Sequence, residues 1–528
     1  MTCVICFPII FVLPMHRSRS LFLFALVAAL LVGCNADPAS NSSDSAPPTE
    51  PSTEAPTYPT AIQIDGEASD WNEVPVRHTD PTGDGDALDF ERLWVAHDSE
   101  RLYLRVEVGS AINLQEDNDL TLHLDTDYDA NTGTDVQGMG ADLSWTFGER
   151  SGRVYANGGR PEIEHEAIGL ATLPTVTSSV FEIALDRDAT PATAPLFRAD
   201  SLRIAFTGGG DQIPNDGGLS YAFSDTDLPN WPTPELERTT DTGVRVLSYN
   251  AERDGFFEDS RATSYTQILN AVQPDIIGFN ELYENNAEAT RERVESLYGT
   301  PESGQWYVDK KGIDLIMLSK YPILATHAIT GYQNYTSGAY LLDTEDDLGT
   351  PLLVILAHLP CCNYDDATPS RDVRRQLGVD SIIAFLREAK EGEAAIDVPE
   401  NTPVLITGDM NFVGDAQQPN TLKTGTIVNT GEFGESTAPD WDGTDLLDVN
   451  PRQTGTSLHS TWMGRGSSYP PSRLDYAYVS DSVLDVAHAY TLYTPGLPDS
   501  LRQAHGLDAD ATTTASDHLP LVLDLVQR

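Results

Sequence analysis

ASDHLPLVLDLVQR, residues 515–528, places the pair Asp517-His518 directly before an apolar run that is typical of a buried strand. Five earlier apolar runs also contain or precede a polar residue: RVLSYN (245–250), DIIGFNE (275–281), PLLVILAHL (351–359), TPVLITGDMN (402–411) and RLDYAYV (473–479). Between them, residues 264–272 and 370–390 have the apolar spacing of helices. The pattern predicts a layered α/β domain whose polar side chains meet at one edge of a packed sheet.

The polar residues at these strand ends form the candidate active site: Asn250, Glu281, His358, Asp409, Asn411, Asp475, Asp517 and His518. Glu281 and Asn250 offer the hard oxygen ligands that Mg²⁺ or Mn²⁺ prefers. The two histidines can donate to phosphoryl oxygens, and a histidine beside a buried carboxylate forms a base with its orienting group. Such a set suits in-line attack of water on a phosphodiester, with a bound metal neutralising the developing charge.

Residues 243–528 resemble the endonuclease/exonuclease/phosphatase superfamily, because six of these motifs occur in that family's order. GIDLIMLSKYPI (312–323) is also similar to the family's central strand, and Thr461-Trp462 to the region before its RxDY motif. The resemblance implies an α/β four-layer sandwich of DNase I-like type that hydrolyses phosphoesters with Mg²⁺ or Mn²⁺. It implies metal binding by Asn250, Glu281 and Asp517, and catalytic roles for His358, Asp409, Asn411, Asp475 and His518. Asp475 would orient His518, and either His518 or Asp409 would activate the water.

Each motif by itself also has an ordinary structural interpretation, such as a type I turn for GDMN or a capped loop for Ser-Asp-His. Two departures from the family pattern stand out. Asn280 precedes Glu281 where the family often has Gln, and Cys361-Cys362 follows His358 in a region that differs between subfamilies. Substrate specificity therefore does not follow from the resemblance.

The N-terminal half predicts a different fold. Leu102, Leu104 and Val106 alternate with polar residues, which is the period of a half-buried strand, and residues 98–100 form the turn before it. Residues 61–228 are expected to form an antiparallel, all-β sandwich. The segments IDGEASDW (64–71) and LWVAHDSERLYL (93–104) resemble family 9-like carbohydrate-binding modules, which implies a glycan partner. Trp71, Trp94 and Trp145 would then be either a sugar platform or core residues.

A cluster of acidic residues in this half has the spacing of a cation-binding turn. Asp125, Asp127 and Asp129 alternate along the chain, with Asn131 and Asp135 following. This spacing lets a loop wrap oxygen ligands around Ca²⁺, although the Gly and terminal Glu of a helix-loop-helix calcium site are missing. Two interpretations stay open: a structural Ca²⁺ site and a solvated acidic turn.

The N-terminal sequence predicts that the protein is exported. Residues 1–34 read as a lipoprotein signal peptide in which Met15 is the expected start, residues 21–32 are apolar, and Gly33-Cys34 ends the signal. Cys34 would carry the lipid and anchor the chain to the cell envelope. Residues 35–60 read as a disordered tether, and residues 229–242 as a linker between the sandwich and the domain at 243–528.

The amino-acid composition limits the range of possible functions. The net charge is −49, with 81 acidic against 32 basic residues, which repels a nucleic acid unless a local basic patch or bound cations offset it. Cys361 and Cys362 are the only cysteines beyond the signal, so no disulfide framework is expected, and they form either a vicinal disulfide or two free thiols.

Three functions fit the sequence. The first is a membrane-tethered, metal-dependent phosphodiester hydrolase, above all an extracellular nuclease. The second keeps the site but acts on a phospholipid, a sphingomyelin-like head group or a sugar phosphate. The third is a glycan-binding surface lipoprotein with little catalysis. A basic groove beside the site would favour nucleic acid, and exposed aromatic loops would favour lipid. The sequence makes no prediction of oligomeric state.

Overall fold

The computed structural model of the chain describes residues 57–156, 158–226, 228, 231–239, 243–333, 335–362 and 369–528. The predicted signal peptide, the lipidation site Cys34 and the tether up to residue 56 lie outside these ranges. Within the described residues, no helix has the length and apolar character needed to cross a membrane.

The N-terminal half consists of short strands. In chain order they are β1 (His78–Thr79), β2 (Phe90–His97), β3 (Arg101–Ile112), β4 (Thr121–Asp125), β5 (Thr134–Val136), β6 (Met139–Ala141), β7 (Leu143–Thr146), β8 (Ser151–Val154), β9 (Glu162–Ile163), β10 (Ala171–Leu173), β11 (Ser178–Asp186), β12 (Ser201–Gly208), β13 (Asp211–Ile213) and β14 (Leu219–Ala222).

These strands form two antiparallel sheets that share one core. One sheet has the order β1-β2-β3-β11-β10, and the other has the order β13-β12-β4-β7-β8-β9 with β14 beside β12. The alternation of Leu102, Leu104 and Val106 points these side chains into the shared core, where Leu122 and Leu124 of the other sheet meet them. The strands β5 and β6 form a separate two-stranded sheet, and β6 packs against Ala205 of β12.

The C-terminal half alternates strands and helices. It contains β15 (Val244–Asn250), α1 (Ala262–Val272), β16 (Ile276–Asn280), α2 (Ala287–Leu297), β17 (Tyr307–Lys311), β18 (Leu315–Ser319), β19 (Ile323–Tyr332), β20 (Tyr335–Leu342), α3 (Glu345–Leu348), β21 (Leu352–His358), α4 (Arg371–Glu391), β22 (Val404–Asp409), α5 (Gln417–Thr424), α6 (Thr430–Phe433), β23 (Leu447–Val449), β24 (Asp475–Val479), β25 (Leu484–Thr491), α7 (Asp499–His505), α8 (Ala511–Ala515) and β26 (Leu521–Gln527).

Two six-stranded sheets lie at the centre of this half, in the orders β17-β18-β16-β15-β26-β25 and β19-β20-β21-β22-β24-β23. Their facing sides share one core, to which β15 contributes Val244 and Val246. The opposite side of β15 places Leu247 and Tyr249 against α1 and its neighbours. The outer side of the second sheet packs against α4. Both sides of each central strand are therefore buried, which explains the continuous apolar runs in the sequence.

Helix α4 shows how local sequence sets these elements. The side chain of Ser370 accepts a hydrogen bond from the backbone N–H of Val373 and caps the first turn. Gly392 ends the helix with a φ of 70°, a left-handed conformation that favours glycine. The predicted helix at 370–390 thus begins and ends where these two capping residues allow.

The sandwich packs directly on the C-terminal half. Ile64 pairs with Leu458 in a parallel bridge, and both belong to an apolar cluster on the outer face of the β1-β2-β3-β11-β10 sheet. Residues 231–239 of the predicted linker also make contacts, because Leu236 packs in the core beside α1 and Trp231 donates to Asp98 of the sandwich at 2.9 Å. The described residues from 57 onward belong to one compact unit.

Candidate active site

The ends of the central strands bring the predicted polar residues together. β15 and β16 run parallel with Asn250 opposite Asn280, and β21 and β22 run parallel with His358 opposite Asp409. β24 is antiparallel to β22 and places Asp475 opposite Asp409. Parallel strands end at the same edge of a sheet, so both sheets present their polar ends on one side of the domain.

Asn250 connects the two sheets. Its Nδ2 donates to Oε1 of Glu281 at 3.1 Å and to Oδ2 of Asp409 at 2.9 Å, while its Oδ1 accepts from the backbone N–H of Glu252 at 2.9 Å. The other oxygen of Glu281 accepts from the backbone N–H of Arg253 at 2.9 Å. One buried amide therefore holds two carboxylates side by side.

His518 is held by Asp475. Its Nδ1 lies 2.7 Å from Oδ2 of Asp475, and its Nε2 lies 3.7 Å from Oδ2 of Asp409. The Ser516 hydroxyl accepts from the His518 backbone N–H and donates to the carbonyl of Asn250, which ties the Ser-Asp-His turn to the end of β15. The bond to Asp475 thus fixes the ring of His518, and the two bonds of the Ser516 hydroxyl fix the loop.

His358 has an equivalent partner that the motif analysis did not identify. Its Nδ1 is hydrogen-bonded to Oδ2 of Asp314, and its Nε2 lies 3.7 Å from Oδ2 of Asp409. Asp314 also accepts from the backbone N–H of Glu281 at 3.3 Å. A signal for it was present, since Asp314 is the acidic residue directly before the apolar strand in GIDLIMLSKYPI.

The remaining predicted residues line a cavity whose wall also includes Glu281, Asp409 and His518. Asp517 lines it, and its Oδ2 accepts from Nε1 of Trp462 at 3.0 Å. Asn411 lines it too, with its Nδ2 donating to the carbonyl of Leu359 at 3.0 Å. Asn411 and Glu281 have φ values of 50° and 62°, in the left-handed region where non-glycine residues are uncommon. Strained backbone of this kind is held in place by the hydrogen bonds around it.

The electrostatics of the site follow from burial and close charges. Burial raises the pKa of Asp409 to about 7, with the two imidazoles opposing this shift and Asp475 and Glu281 adding to it. Burial lowers the pKa of His518, but Asp475 and Asp409 outweigh it and raise the pKa to about 10. His358 behaves in the same way, because Asp314 and Asp409 outweigh burial and raise its pKa to about 10.

The residues present fit a divalent cation. Ligand atoms of Glu281, His358 and Asp409 lie within 4.8 Å of one another, as do those of Asp409, Asp475 and His518. Oδ1 of Asp475 is buried and has no hydrogen-bond partner among the described residues. Carboxylate and amide oxygens are the donors that Mg²⁺ and Mn²⁺ prefer, and a cation would neutralise carboxylates crowded in a buried space.

The acidic turn of the sandwich differs in part from the expectation. Asp125 and Asp127 come together, but the third carboxylate of the cluster is Asp142 and not Asp129. Asp129 instead accepts hydrogen bonds from Asn131. Two arginines pair with the cluster: Arg203 lies 2.5 Å from Asp125, and Arg198 lies 2.5 Å from Asp142. Arg203 and Arg198 thus place positive charge beside these carboxylates. The sequence spacing does not show that these two distant side chains fold over the turn.

The tryptophans of the sandwich are buried. Trp71, Trp94 and Trp145 are at most 5% exposed, so none of the three offers a face to a sugar ring. Trp71 donates through Nε1 to Glu182 at 2.6 Å, and Trp94 lies beneath the guanidinium of Arg105. The core interpretation therefore applies to these three side chains.

Cys361 and Cys362 line the edge of the site as free thiols. Their Sγ atoms are 2.7 Å apart. The hydrogen bond from Cys362 lowers the pKa of the Cys361 thiol to about 6. Of the two alternatives left open by the sequence, the structure contains the thiols.

The match to a family of known sequence pattern indicates the class of protein, a hydrolase acting on phosphoester bonds. Residues 247–518 match the sequence profile of the Endonuclease/Exonuclease/phosphatase family, and the chain belongs to this family. A search of curated protein sequences found no match.

Solved structures resemble about half of the chain. The D. rerio TDP2 complexed with single strand DNA product is 16% identical, with a TM-score of 0.34 over 54% of this chain and 99% of that one. The catalytic domain of human Nocturnin with bound sulfate is 17% identical, with a TM-score of 0.33 over 54% of this chain and 95% of that one. Sphingomyelinase C from Streptomyces griseocarneus is 16% identical, with a TM-score of 0.32 over 53% of this chain and 99% of that one.

Proposed function

We propose that the protein is a divalent-cation-dependent phosphodiester hydrolase. One observation supports this most: Oδ2 of Asp409 lies 3.7 Å from Nε2 of His358 and 3.7 Å from Nε2 of His518. Two imidazoles that converge on one carboxylate leave a polar edge at which a phosphate group can be held from two sides. Membership of the family agrees with this chemistry.

Glu281, Asn250 and Asp517 are the residues that we propose to hold Mg²⁺ or Mn²⁺, with Asp409 beside them. A bound divalent cation would neutralise the charge that develops on a phosphoryl group during displacement. Asn250 contributes by fixing the relative position of Glu281 and Asp409 through its Nδ2. Besides offering its Oδ1 to the cation, Asn250 therefore keeps two negatively charged groups close together, which the cation then stabilises.

The histidines would bind the phosphoryl oxygens. Asp475 fixes Nδ1 of His518, and Asp314 fixes Nδ1 of His358, so in both rings Nε2 remains to face the substrate. Donors positioned in advance of the reaction stabilise developing charge without reorganisation. Asn411 lines the same cavity and is proposed as a further donor. Because the raised pKa of His518 keeps its ring protonated at neutral pH, the proton of the attacking water would pass to Asp409.

Hydrolysis of bis-p-nitrophenyl phosphate by the purified full chain tests the proposal. We expect turnover with Mg²⁺ or Mn²⁺, loss of turnover with EDTA, and a decrease of at least about 10²-fold in kcat for His518→Ala, since general acid-base groups contribute about 10² to 10⁴-fold. His327→Ala is the matched control, because His327 stacks on Phe385 and is not part of the site. Equal rates for both variants, or rates unaffected by EDTA, would refute the assignment.

We further propose that the protein is an exported lipoprotein held at the cell envelope through Cys34. The support is an apolar run that is followed by Gly33-Cys34 and then by a segment rich in Pro, Ser and Thr. Labelling of growing cells with a tagged palmitate should mark the wild type and leave Cys34→Ser unmarked. Label on both proteins would show attachment at another residue and reject Cys34.

A further inference from the structure

The cavity at the candidate site is built by both halves of the chain. It has a volume of about 280 Å³, and Glu281, Asp409 and His518 lie on its wall. Four residues of the sandwich complete the opposite side, here named the sandwich wall: Asn113, Gln115, Glu116 and Thr175. They belong to the loop after β3 and the loop after β10. The sandwich, whose sequence carries no catalytic motif, therefore lines the same cavity as Glu281, Asp409 and His518.

The sandwich wall is fixed to the catalytic domain. Nδ2 of Asn113 donates to the carbonyl of Val413 at 3.0 Å, and the hydroxyl of Thr175 donates to the carbonyl of Arg473 at 3.2 Å. Next to Thr175, Val176 is buried in the core that the second sheet shares with α4. These contacts tie the wall to the residues around Asn411 and Asp475.

Glu116 and Gln115 supply polar side-chain oxygens to the sandwich wall. Oε1 of Glu116 accepts from the hydroxyl of Tyr469 at 2.8 Å, across the mouth of the cavity. Gln115 is only 8% exposed, and its Nε2 donates to the Thr172 hydroxyl at 3.0 Å. Oε1 of Gln115 has no hydrogen-bond partner among the described residues. A buried acceptor left without a donor is costly. Because Gln115 lines the cavity, rotation of its amide toward a bound substrate donor would recover that cost.

A second cavity continues outward from Asn113 and Glu116 and is mainly acidic. It has a volume of about 630 Å³, and its carboxylates are those of Glu116, Asp117, Asp372 and Asp415. The cationic side chains on its wall are Arg150 and Arg371. Carboxylates outnumber guanidinium groups here, so the cleft repels a chain of phosphates that extends away from the reacting one.

We propose that the sandwich wall determines substrate specificity. It favours a phosphodiester with a compact ester group and disfavours double-stranded nucleic acid. This inference rests on the proposed phosphodiester hydrolysis and names its substrate class. The cavity volume lies near the lower end of small-molecule sites, about 300 to 1,000 Å³. A duplex carries one charge per roughly 1.7 Å of its axis and would have to lie against the acidic cleft.

The test compares three substrates with the full chain and Mg²⁺ or Mn²⁺: bis-p-nitrophenyl phosphate, thymidine 5′-p-nitrophenyl phosphate and duplex plasmid DNA. We expect kcat/KM for the better small substrate to exceed that for plasmid cleavage by at least about 10²-fold. Gln115→Ala should raise KM for the thymidine substrate about tenfold and leave kcat within about twofold, because it removes ground-state and transition-state binding equally. Gln212→Ala, on β13 of the other sheet, is the matched control.

A second variant covers the case in which Gln115→Ala does not fold. Glu116→Gln combined with Asp117→Asn removes charge and keeps side-chain shape, and it should increase plasmid cleavage by at least about fivefold at low salt, with less effect at high salt. Glu162→Gln on the exposed edge strand β9 should change nothing.

The outcomes separate the two proposals. Metal-dependent hydrolysis that is lost in His518→Ala, but with plasmid cut as fast as the small substrates, would overturn the inference and leave the hydrolase standing. An unchanged KM in folded Gln115→Ala together with unchanged plasmid cleavage in the double variant would overturn it as well. The absence of hydrolysis of every substrate by the wild type would overturn the proposed function, and the inference with it.

Discussion

Nδ1 of His518 lies 2.7 Å from Oδ2 of Asp475, and both residues are at most 5% exposed. A carboxylate that accepts from Nδ1 fixes the tautomer and the orientation of the ring, and it leaves Nε2 facing the cavity. Because Asp475 begins β24 and His518 precedes β26, the pair joins the two sheets at their polar edge. The reactivity of His518 therefore depends on how accurately the sheets pack.

The first prediction follows from this pair. Asp475→Asn keeps the size of the side chain but removes the charge that orients His518, so kcat for bis-p-nitrophenyl phosphate should fall by about 10² to 10⁴-fold. KM should change much less, because the substitution does not remove a substrate contact. Asp485→Asn on β25, an exposed strand position, is the control. Activity within a factor of three of the wild type would show that Asp475 does not orient the ring.

The second prediction concerns the cation. Glu281→Gln removes one of the two charged groups that Asn250 holds together, and it should abolish the rise in Tm that Mg²⁺ or Mn²⁺ gives the wild type. A ligand that binds only the folded state at 100 times its Kd stabilises it by about 2.7 kcal/mol. Thermal unfolding with and without each cation measures this, with Glu292→Gln on α2 as control. An equal Tm rise in both variants would place the cation elsewhere.

The third prediction concerns Asp314, the partner of His358. Asp314→Asn should lower kcat by about 10 to 10²-fold, because loss of a positioning group misplaces a donor without removing it. The double variant Asp314→Asn with His358→Gln should be no slower than His358→Gln alone, since both changes act through one ring. Asp346→Asn, exposed on α3, is the control. Additive losses in the double variant would indicate that Asp314 acts independently of His358.

Much of the fold could be predicted from the sequence, because a strand that is buried on both faces consists mainly of apolar residues. The runs that contain Val246 and Leu405 are buried on both sides in the structure, and they lie in the core between the two sheets. The packing of the sandwich against the C-terminal half could not be predicted in this way. Ile64 and Leu458 meet across 394 residues of sequence, and no periodicity records which distant apolar side chains will pair.

Some residues of the candidate site could likewise be predicted from the sequence, and others could not. Residues at strand ends, such as Asn250 and His518, could be predicted to converge, because parallel and neighbouring strands share an edge. The sandwich wall could not, since Gln115 and Thr175 lie in loops with no motif of their own. The acidic turn at Asp125 shows the same limit, because its arginine partners come from β12 and from the loop before it. A side chain that joins a site from a distant part of the chain gives no signal in the sequence around the motif.

The last prediction concerns acid stability and His123 of the sandwich. The residue is 8% exposed, and its ring nitrogens lie 2.9 Å from the hydroxyls of Ser144 and Thr207. Burial lowers its pKa from 6.5 to about 4. The folded state therefore keeps the ring neutral at pH values where the unfolded chain protonates it. Between pH 6.5 and about 4 the unfolded state binds more protons, so stability must fall as the pH falls through this window.

From pH 7 to pH 5 this one group should cost about 1 to 2 kcal/mol of unfolding free energy. His123→Gln removes the titration and should make the decrease in stability between these pH values smaller by that amount. Urea unfolding of both proteins at pH 7 and pH 5 measures the difference, and His327→Gln serves as the control, since His327 is less buried. Should His123→Gln and the wild type lose stability in parallel, His123 would have to be protonated in the folded state as readily as in the unfolded chain.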